Sequence, residues 1–309
     1  MHAVVANRSG LNFLDGLASQ RSVDTRSPFV QVFAMLQSVA VFSKVGVFKL
    51  EVPAADRELL AGVCWGAIDA FPTPAYWLFQ VFERRLTGGP PNYKLGRTLA
   101  EELGACLLGG HGIPAEVGIA AYKRLREAGL FVPGADSSEE RILEMLLKPL
   151  DVGDRQIRYR FASQKSRYLS GAMASIHNAP AAGTGRVLRD WLTSLPGVGL
   201  KTASWIARNW MGADDVAILD IHILRFGQAI GLFDRALKVE CDYLKLEAQF
   251  LAFSAGMDIK ASELDAVIWH EMANSPLAVR ELTQAAELRS VSRRKTKRLQ
   301  VRNEQLALI

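Results

Sequence analysis

The chain has 309 residues, of which 49% are hydrophobic and 22% are charged. This composition excludes a disordered or fibrous protein, and the length suffices for one large core or two ordinary ones. No uninterrupted apolar run of about eighteen residues is present, so we expect no membrane-spanning helix. Three cysteines lie far apart, which predicts neither a disulfide framework nor a clustered metal site. We expect a cytoplasmic protein with no membrane-embedded part.

The net charge of +5 is distributed unevenly. The segment from Arg289 to Arg302 contains seven basic and no acidic residues, so the rest of the chain sums to −2. Such a run is typical of segments that bind nucleic acid or an acidic membrane surface, although a solvated helical tail has the same composition. Residues 289–309 are therefore predicted as a basic C-terminal tail. Residues 1–28, with scattered charges around short apolar pieces, are predicted as an N-terminal arm.

Helical periodicity dominates the middle of the chain. Apolar residues recur at spacings of three and four within 99–108, 115–130 and 139–150, which predicts amphipathic helices. Segments rich in Gly and Pro, such as 87–92 and 109–114, are predicted as connections between helices. Alternating patterns typical of strands are scarce, so the predicted fold class is all-α.

Residues 186–210 predict a helix, a tight turn and a second helix. The first helix has to end before Pro196, because proline disfavours α geometry in the residue before it. A turn of Gly197, Val198 and Gly199 then opens the second helix, and its unpaired N–H groups suit a phosphate oxygen. The string Leu-Pro-Gly-Val-Gly-Leu-Lys-Thr-Ala is similar to the helix-hairpin-helix motif of DNA-binding proteins. We expect the turn to contact DNA.

Two charged residues follow in unusual places. Lys201 stands in the first turn of the second helix, where the helix dipole disfavours a cation. An exposed or phosphate-contacting lysine is the alternative explanation. Asp220 lies within an apolar stretch and must therefore be a helix cap, an ion-pair partner or a catalytic group. A cap carboxylate that faces a cleft can serve both structure and catalysis.

Two strings together carry a resemblance. Leu-Pro-Gly-Val-Gly-Leu-Lys, which ends in Lys201, is followed by Leu-Asp-Ile-His, which contains Asp220 and His222. This pattern resembles the signature of the helix-hairpin-helix (HhH-GPD) superfamily of DNA glycosylases. The lysine is similar to that of the bifunctional branch, which includes the 8-oxoguanine and endonuclease III types. The resemblance implies that Lys201 attacks the sugar C1′ and that Asp220 stabilises the developing positive charge, roles that suit an amine and a carboxylate. It also implies that His222 contacts a DNA phosphate; a hydrogen-bonded structural histidine is the alternative.

The resemblance extends upstream of the hairpin. Residues 103–117 resemble the helix-loop-helix that fills the gap left by an extruded base, with His111 as the candidate wedge and a flexible turn as the alternative. Residues 159–169 are similar to the basic helix that precedes the hairpin in these enzymes. There Lys165 and Arg167 are candidates for phosphate contact, unless this is an ordinary amphipathic helix.

Residues 262–271 resemble the last helix of archaeal-type 8-oxoguanine glycosylases, which contributes to the base pocket. Asp265 and Trp269 lie at i and i+4 on one face, where a ring can stack and a carboxylate can accept a hydrogen bond; Trp269 as core filler is the alternative. The resemblance further implies a sodium or potassium ion held by backbone carbonyls of the hairpin, those of Thr193, Leu195 and Val198. No cysteine cluster follows Asp220, so an iron–sulfur cluster is not expected, nor is any organic cofactor.

The fold implied is two helical lobes with a DNA-binding cleft between them. One lobe comprises 29–104 and 231–288, and the other, 105–230, holds the hairpin and the aspartate. The predicted function is a DNA glycosylase that flips a modified base out of double-stranded DNA, cleaves its N-glycosidic bond and has lysine-mediated AP lyase activity. The first choice of base is an oxidised purine such as 8-oxoguanine. Two alternatives stay open, namely a phage-defence glycosylase that removes a hypermodified base from invading DNA and a non-enzymatic DNA-binding protein.

Overall fold

The computed structural model describes residues 36–43, 46–88, 93–110, 112–181 and 183–284. These residues belong to one compact unit and are mostly helical, with three short β-hairpins. The predicted N-terminal arm, His111 and the basic tail lie outside the described residues.

The first hairpin departs from the all-α prediction, which was wrong on this point. Strand β1 (Leu36–Ser43) pairs antiparallel with β2 (Gly46–Pro53). Alternate residues of β2, Leu50 and Val52, are buried in the core, as expected for a strand with one covered face. Their β-branched and aliphatic side chains gain more from this half-buried sheet surface than from a helix. The fold is therefore mostly helical rather than all-α.

Two smaller hairpins close loops. Strand β3 (Glu58–Leu60) pairs with β4 (Val63–Cys64), ahead of the first helix. Strand β5 (Leu150–Val152) pairs with β6 (Arg155–Ile157), between the fourth and fifth helices. Neither has more than three residues per strand, which explains why no alternating pattern marks them in the sequence.

Among the described residues, five α-helices precede the predicted hairpin. Thr73 and Thr98 cap the first two, each accepting a hydrogen bond from a backbone N–H of the first turn. The five are α1 (Pro74–Thr87), α2 (Leu99–Leu108), α3 (Ala115–Glu127), α4 (Glu139–Leu147) and α5 (Ala162–Ser175).

The remaining helices form the hairpin and the elements around it. Gly212 and Gly231 end two of them in the left-handed conformation, with φ of 66° and 84°, which glycine adopts without strain. They are α6 (Gly185–Leu192), α7 (Leu200–Met211), α8 (Ile221–Ile230), α9 (Val239–Gly256) and α10 (Ala261–Asn274), and residues 276–284 are also helical. Among the described helices, none combines the length and the apolar character needed to cross a bilayer.

Buried apolar side chains form two clusters. The first cluster draws on residues 50–81 and 217–282, and the second on residues 103–216. The chain passes from the second to the first at Val216 and Ala217, before the lobe boundary of 230/231 predicted from the sequence. Helix α8 belongs to the first cluster, because Phe226 packs edge-on against Trp77 with ring centroids 5.8 Å apart. That the clusters behave as two domains stays a prediction.

Candidate active site

The two glycines of the hairpin turn have different reasons to be glycine. Gly197 has a φ of 76°, and a Cβ there would overlap the ring of Tyr168 from α5. Gly199 has a φ of −89°, which any residue can adopt, and apart from its own helix and chain neighbours no described residue has an atom within 4 Å of where its Cβ would stand. The protein's own packing therefore requires the first glycine and leaves open space at the second.

The turn presents backbone donors to that open space. Gly199 is the N-cap of α7, and the helix has no side-chain cap, so its first N–H groups are available to an outside acceptor. Val198 does not fit its predicted role as well. Its side chain is buried, and its N–H donates to the carbonyl of Leu195 at 3.2 Å within the turn. The donors left for a phosphate are those of Gly199 and the first turn of α7.

An open pocket, with about 430 Å³ of empty space that includes the solvent at its mouth, lies where α7, α8 and α10 meet. It joins residues of both core clusters, since α7 packs in the second cluster while α8 and α10 pack in the first. Its walls include four residues singled out from the sequence, Lys201, Asp220, Asp265 and Trp269. The other lining residues are Tyr93, Trp205, Arg208, Ile218, Ile223 and Ala266.

Lys201 and Asp220 reach the pocket from separate segments. Lys201 is exposed and makes no ion pair with any residue in the described ranges. Asp220 is half-buried and caps α8, its Oδ1 accepting from the N–H groups of His222 at 2.8 Å and Ile223 at 3.0 Å. The cap interpretation is therefore confirmed, and the two cap bonds hold the carboxylate in place on the pocket wall.

Asp265 lies on a buried wall of the pocket. It is 2% exposed, pairs with Arg208 through Oδ1 and accepts from the N–H of Ile218 through Oδ2 at 3.3 Å. Burial raises the pKa of Asp265 to about 7, although the Arg208 guanidinium opposes this shift. The carboxyl is thus committed to holding the protein together, with both oxygens engaged.

Aromatic residues complete the same wall. Trp269 is 42% exposed, so the core-filler alternative was wrong. Its ring meets that of Tyr93 edge-on with centroids 5.5 Å apart, and the Arg208 guanidinium lies 5.6 Å from the Tyr93 ring centroid. A partly exposed indole beside a second ring offers a stacking surface for a planar group.

Sequence reasoning missed the polar and aromatic lining residues Tyr93, Trp205 and Arg208. Lys201, Trp205 and Arg208 stand at i, i+4 and i+7 on one face of α7, a spacing that could have marked the last two. Tyr93 follows the Gly/Pro-rich connection and carries no such signal. The Tyr93 hydroxyl and the Trp205 indole N–H are buried and have no hydrogen-bond partner within the described part of the chain.

The other predicted DNA contacts lie away from the pocket lining. Lys165 is half-buried, and its Nζ donates to the carbonyl of Gly109 at 3.3 Å; burial lowers the pKa of its ammonium. This contact supports the loop that follows α2, so the prediction that Lys165 binds phosphate gains no support. Arg167 is exposed beside the Tyr168 ring. His222 is half-buried and its Nδ1 has no partner among the described residues, which does not support the hydrogen-bonded alternative.

The hairpin carbonyls fit a monovalent cation only in part. The carbonyl of Leu195 already accepts from Val198, which leaves it one lone pair for an ion. The cation on Thr193, Leu195 and Val198 stays a prediction. Within the described ranges, no group of three or more His, Cys, Asp or Glu side chains is arranged to hold a metal ion.

Known proteins are similar to the part of the chain that holds the hairpin, Lys201 and Asp220. The Ogg-HhH family model, described as 8-oxoguanine DNA glycosylase, matches residues 92–259. The 8-oxoguanine DNA glycosylase/AP lyase of Metallosphaera sedula is 33% identical over 119 residues, which make up 36% of this chain and 57% of that protein. The corresponding protein of Methanocaldococcus jannaschii is 31% identical over 177 residues, which make up 55% of this chain and 78% of that protein.

A crystal structure of the Methanocaldococcus jannaschii 8-oxoguanine DNA glycosylase aligns with a TM-score of 0.45 and 29% identity, covering 57% of this chain and 78% of that one. The region that matches the family model makes up more than half of the present chain and includes both Lys201 and Asp220. The resemblance drawn from the hairpin string is thereby confirmed, and the chain belongs to the Ogg-HhH family of 8-oxoguanine DNA glycosylases.

Proposed function

We propose that this protein is an 8-oxoguanine DNA glycosylase/AP lyase that removes the oxidised base from double-stranded DNA. The observation that carries the proposal is the meeting of Lys201 and Asp220 at one pocket, within the part of the chain that matches the family. A lone phosphate-binding hairpin needs neither an unpaired amine nor a fixed carboxylate in a cleft. Both are needed to break a glycosidic bond through a covalent intermediate.

The reaction assigns one role to each group. The unprotonated Nζ of Lys201 attacks C1′, and the electron pair of the C1′–N9 bond leaves with the base, which takes up a proton. The carboxylate of Asp220 stabilises the positive charge that develops on the sugar. Opening of the sugar ring then gives an imine between Lys201 and C1′. Loss of a C2′ proton expels the 3′-phosphate and nicks the strand.

The rest of the pocket receives the base. An extruded base has to be unstacked from the duplex and gains a new stacking partner in the pocket. The half-exposed indole of Trp269 supplies that surface, and Tyr93 holds it edge-on. Asp265 keeps this wall in place through its bonds to Arg208 and Ile218. The DNA would run across the mouth of the pocket, between the two core clusters.

Reductive trapping tests the proposal. The full chain is incubated with a duplex that contains 8-oxoguanine in the presence of borohydride, which converts the imine into a stable amine adduct. We expect a protein–DNA adduct that is lost in Lys201→Gln and kept in Lys123→Gln, a matched change at an exposed lysine of α3 outside the pocket. Base release without an adduct would show a monofunctional glycosylase. Duplex binding without base release would support the non-enzymatic alternative.

The turn glycines test the DNA contact separately from the chemistry. Gly199→Ala adds a methyl group where the protein leaves open space, so we expect unchanged stability and about tenfold weaker duplex binding. Gly197→Ala forces a strained φ and a clash with Tyr168, so it should lower the melting temperature. Duplex affinity by anisotropy and thermal melting separate the two effects. Equal affinity in Gly199→Ala and the parent would argue against a phosphate at this turn.

A further inference from the structure

The backbone just before Asp220 is held by side chains rather than by regular secondary structure. Residues 217–219 belong to no helix or strand, yet their three N–H groups all have side-chain acceptors. Ala217 donates to Glu247 at 3.0 Å, Ile218 to Asp265 at 3.3 Å and Leu219 to the Tyr243 hydroxyl at 3.2 Å. The same hydroxyl donates to the carbonyl of Ala217 at 2.8 Å. We call residues 217–219 the anchored segment.

Both carboxylates that hold the anchored segment also pair with an arginine of the hairpin. Glu247 on α9 uses Oε1 for Ala217 and Oε2 for Arg189 of α6, at 2.7 Å. Asp265 on α10 uses Oδ2 for Ile218 and Oδ1 for Arg208 of α7. Each helix of the hairpin is thus linked through a buried carboxylate to one residue of the anchored segment. In the first bridge both side chains are no more than 5% exposed.

Stability alone is a poor explanation for this arrangement. Buried ion pairs lose so much hydration that apolar replacements are often at least as stable, and their best-attested use is to select one geometry. The geometry selected here is the position of the anchored segment relative to the hairpin. That segment leads directly into Asp220, while α7 of the hairpin carries Lys201.

We infer that Glu247 and Tyr243 are positioning residues for the glycosylase reaction, setting the place of Asp220 against Lys201 through the anchored segment. The inference rests on the proposed function. Neither residue lines the pocket, so neither touches the base or the sugar. Arg189 acts through Glu247, as Arg208 acts through Asp265. Removing the Tyr243 hydroxyl or the Glu247 carboxylate should slow the chemical step and leave duplex binding intact.

The test uses Tyr243→Phe and Glu247→Gln in the full chain. For each we expect the single-turnover rate of 8-oxoguanine release to fall about tenfold, with duplex affinity unchanged. In an Asp220→Asn background the same changes should have no further effect, because the group they position is already gone. Glu263→Gln is the matched control, since Glu263 pairs with Arg85 at 2.5 Å and contacts neither the anchored segment nor the pocket.

Amide hydrogen exchange gives a readout that does not depend on activity. Exchange at residues 217–219 should accelerate in Tyr243→Phe and Glu247→Gln and stay as in the parent in Glu263→Gln. If Glu247→Gln does not fold, because Arg189 keeps only Asp190 as a counter-charge, Tyr243→Phe decides alone, since it removes only a hydroxyl.

Two results would overturn the inference. One is an unchanged release rate in Tyr243→Phe, and the other is an equal loss with and without the Asp220 carboxylate, which would mean a general effect on stability. A parent protein that releases no 8-oxoguanine from the duplex would instead refute the proposed function and the catalytic role together. Exchange data would still decide whether these side chains fix the segment.

Discussion

The pocket contains two pairs of a basic and an acidic residue, and the pairs differ in burial and in hydrogen bonding. Asp265 is buried, whereas 11% of the Arg208 side chain is exposed. The two are bonded to each other, and Asp265 also accepts from the backbone N–H of Ile218. Lys201 is exposed and Asp220 half-buried, and Asp220 bonds only to backbone groups of its own helix start among the described residues. The members of the first pair bond to each other, whereas neither member of the second pair has an ion-pair partner among the described residues.

The difference indicates that Arg208 and Asp265 stabilise the fold of the site, whereas Lys201 and Asp220 are available for the reaction. A charge that is paired and desolvated cannot respond strongly to a substrate, because its field is already satisfied by its partner. An unpaired amine and a carboxylate with a free oxygen can respond to charge that develops on a bound sugar. The two pairs should therefore answer differently to the same kind of substitution.

Removing one member of the buried pair should have the largest effect. Arg208→Met leaves the Asp265 carboxyl buried without its counter-charge, so we expect the free energy of unfolding to fall by about 3 kcal/mol. Adding Asp265→Asn should restore most of this loss, because the amide is neutral and its oxygen still accepts from Ile218. Urea unfolding measures both. A double variant as unstable as Arg208→Met alone would contradict the interpretation of the pair as architectural.

Neutralising the acid of the exposed pair should act on rate instead. Asn caps a helix about as well as Asp, so Asp220→Asn should keep α8 and the stability of the fold. The single-turnover rate of base release should drop about a hundredfold, because the developing positive charge loses its counter-charge. Rapid-quench measurement on an 8-oxoguanine duplex checks this. A variant that loses stability but not rate would make Asp220 a cap only.

Asp265 should also make the stability of the fold depend on pH. Burial raises its pKa to about 7 in the folded protein, well above the ordinary value of 3.8, so the folded state holds an extra proton between these two pH values. The free energy of unfolding should therefore fall as pH rises through this window, by up to about 1 kcal/mol per pH unit. Asp265→Asn should remove this contribution. The free energy of unfolding is measured by urea unfolding at several pH values for the parent and for Asp265→Asn. If it depends on pH equally in both proteins, Asp265 does not titrate in this window.

The sequence predicted the parts of the site that depend on local chemistry. The glycine at 197, the lysine in the first turn of α7 and the Asp cap of α8 are each encoded within a few neighbouring residues. Tyr93 and the salt bridge of Arg208 were missed because both depend on contacts between distant segments, although the spacing on α7 could have placed Arg208 at the pocket. Arg208 meets Asp265 from a helix 57 positions away in the chain, and no local pattern encodes that pairing.

The fold shows the same division. The long helices were predictable because their apolar periodicity extends over several turns. The hairpin of β1 and β2 was not, since two eight-residue strands with one buried face give only a brief alternation. The buried side chains change from one core cluster to the other at 216/217, ahead of the predicted lobe boundary, for a further reason. Helix α8 follows the hairpin in sequence but packs its apolar face against Trp77, more than a hundred residues earlier.

The smallest expected effect is the change in the free energy of unfolding when the exposed Lys201 is replaced. Lys201 makes no ion pair with a described residue, and its side chain stands at the start of α7, where the helix dipole disfavours a cation. Lys201→Gln should therefore change the free energy of unfolding by less than about 0.5 kcal/mol, or raise it slightly. Urea unfolding beside the trapping assay gives both numbers for one variant. A large loss of stability would mean that Lys201, like Arg208, stabilises the folded state, and the two pairs would then not differ in their roles.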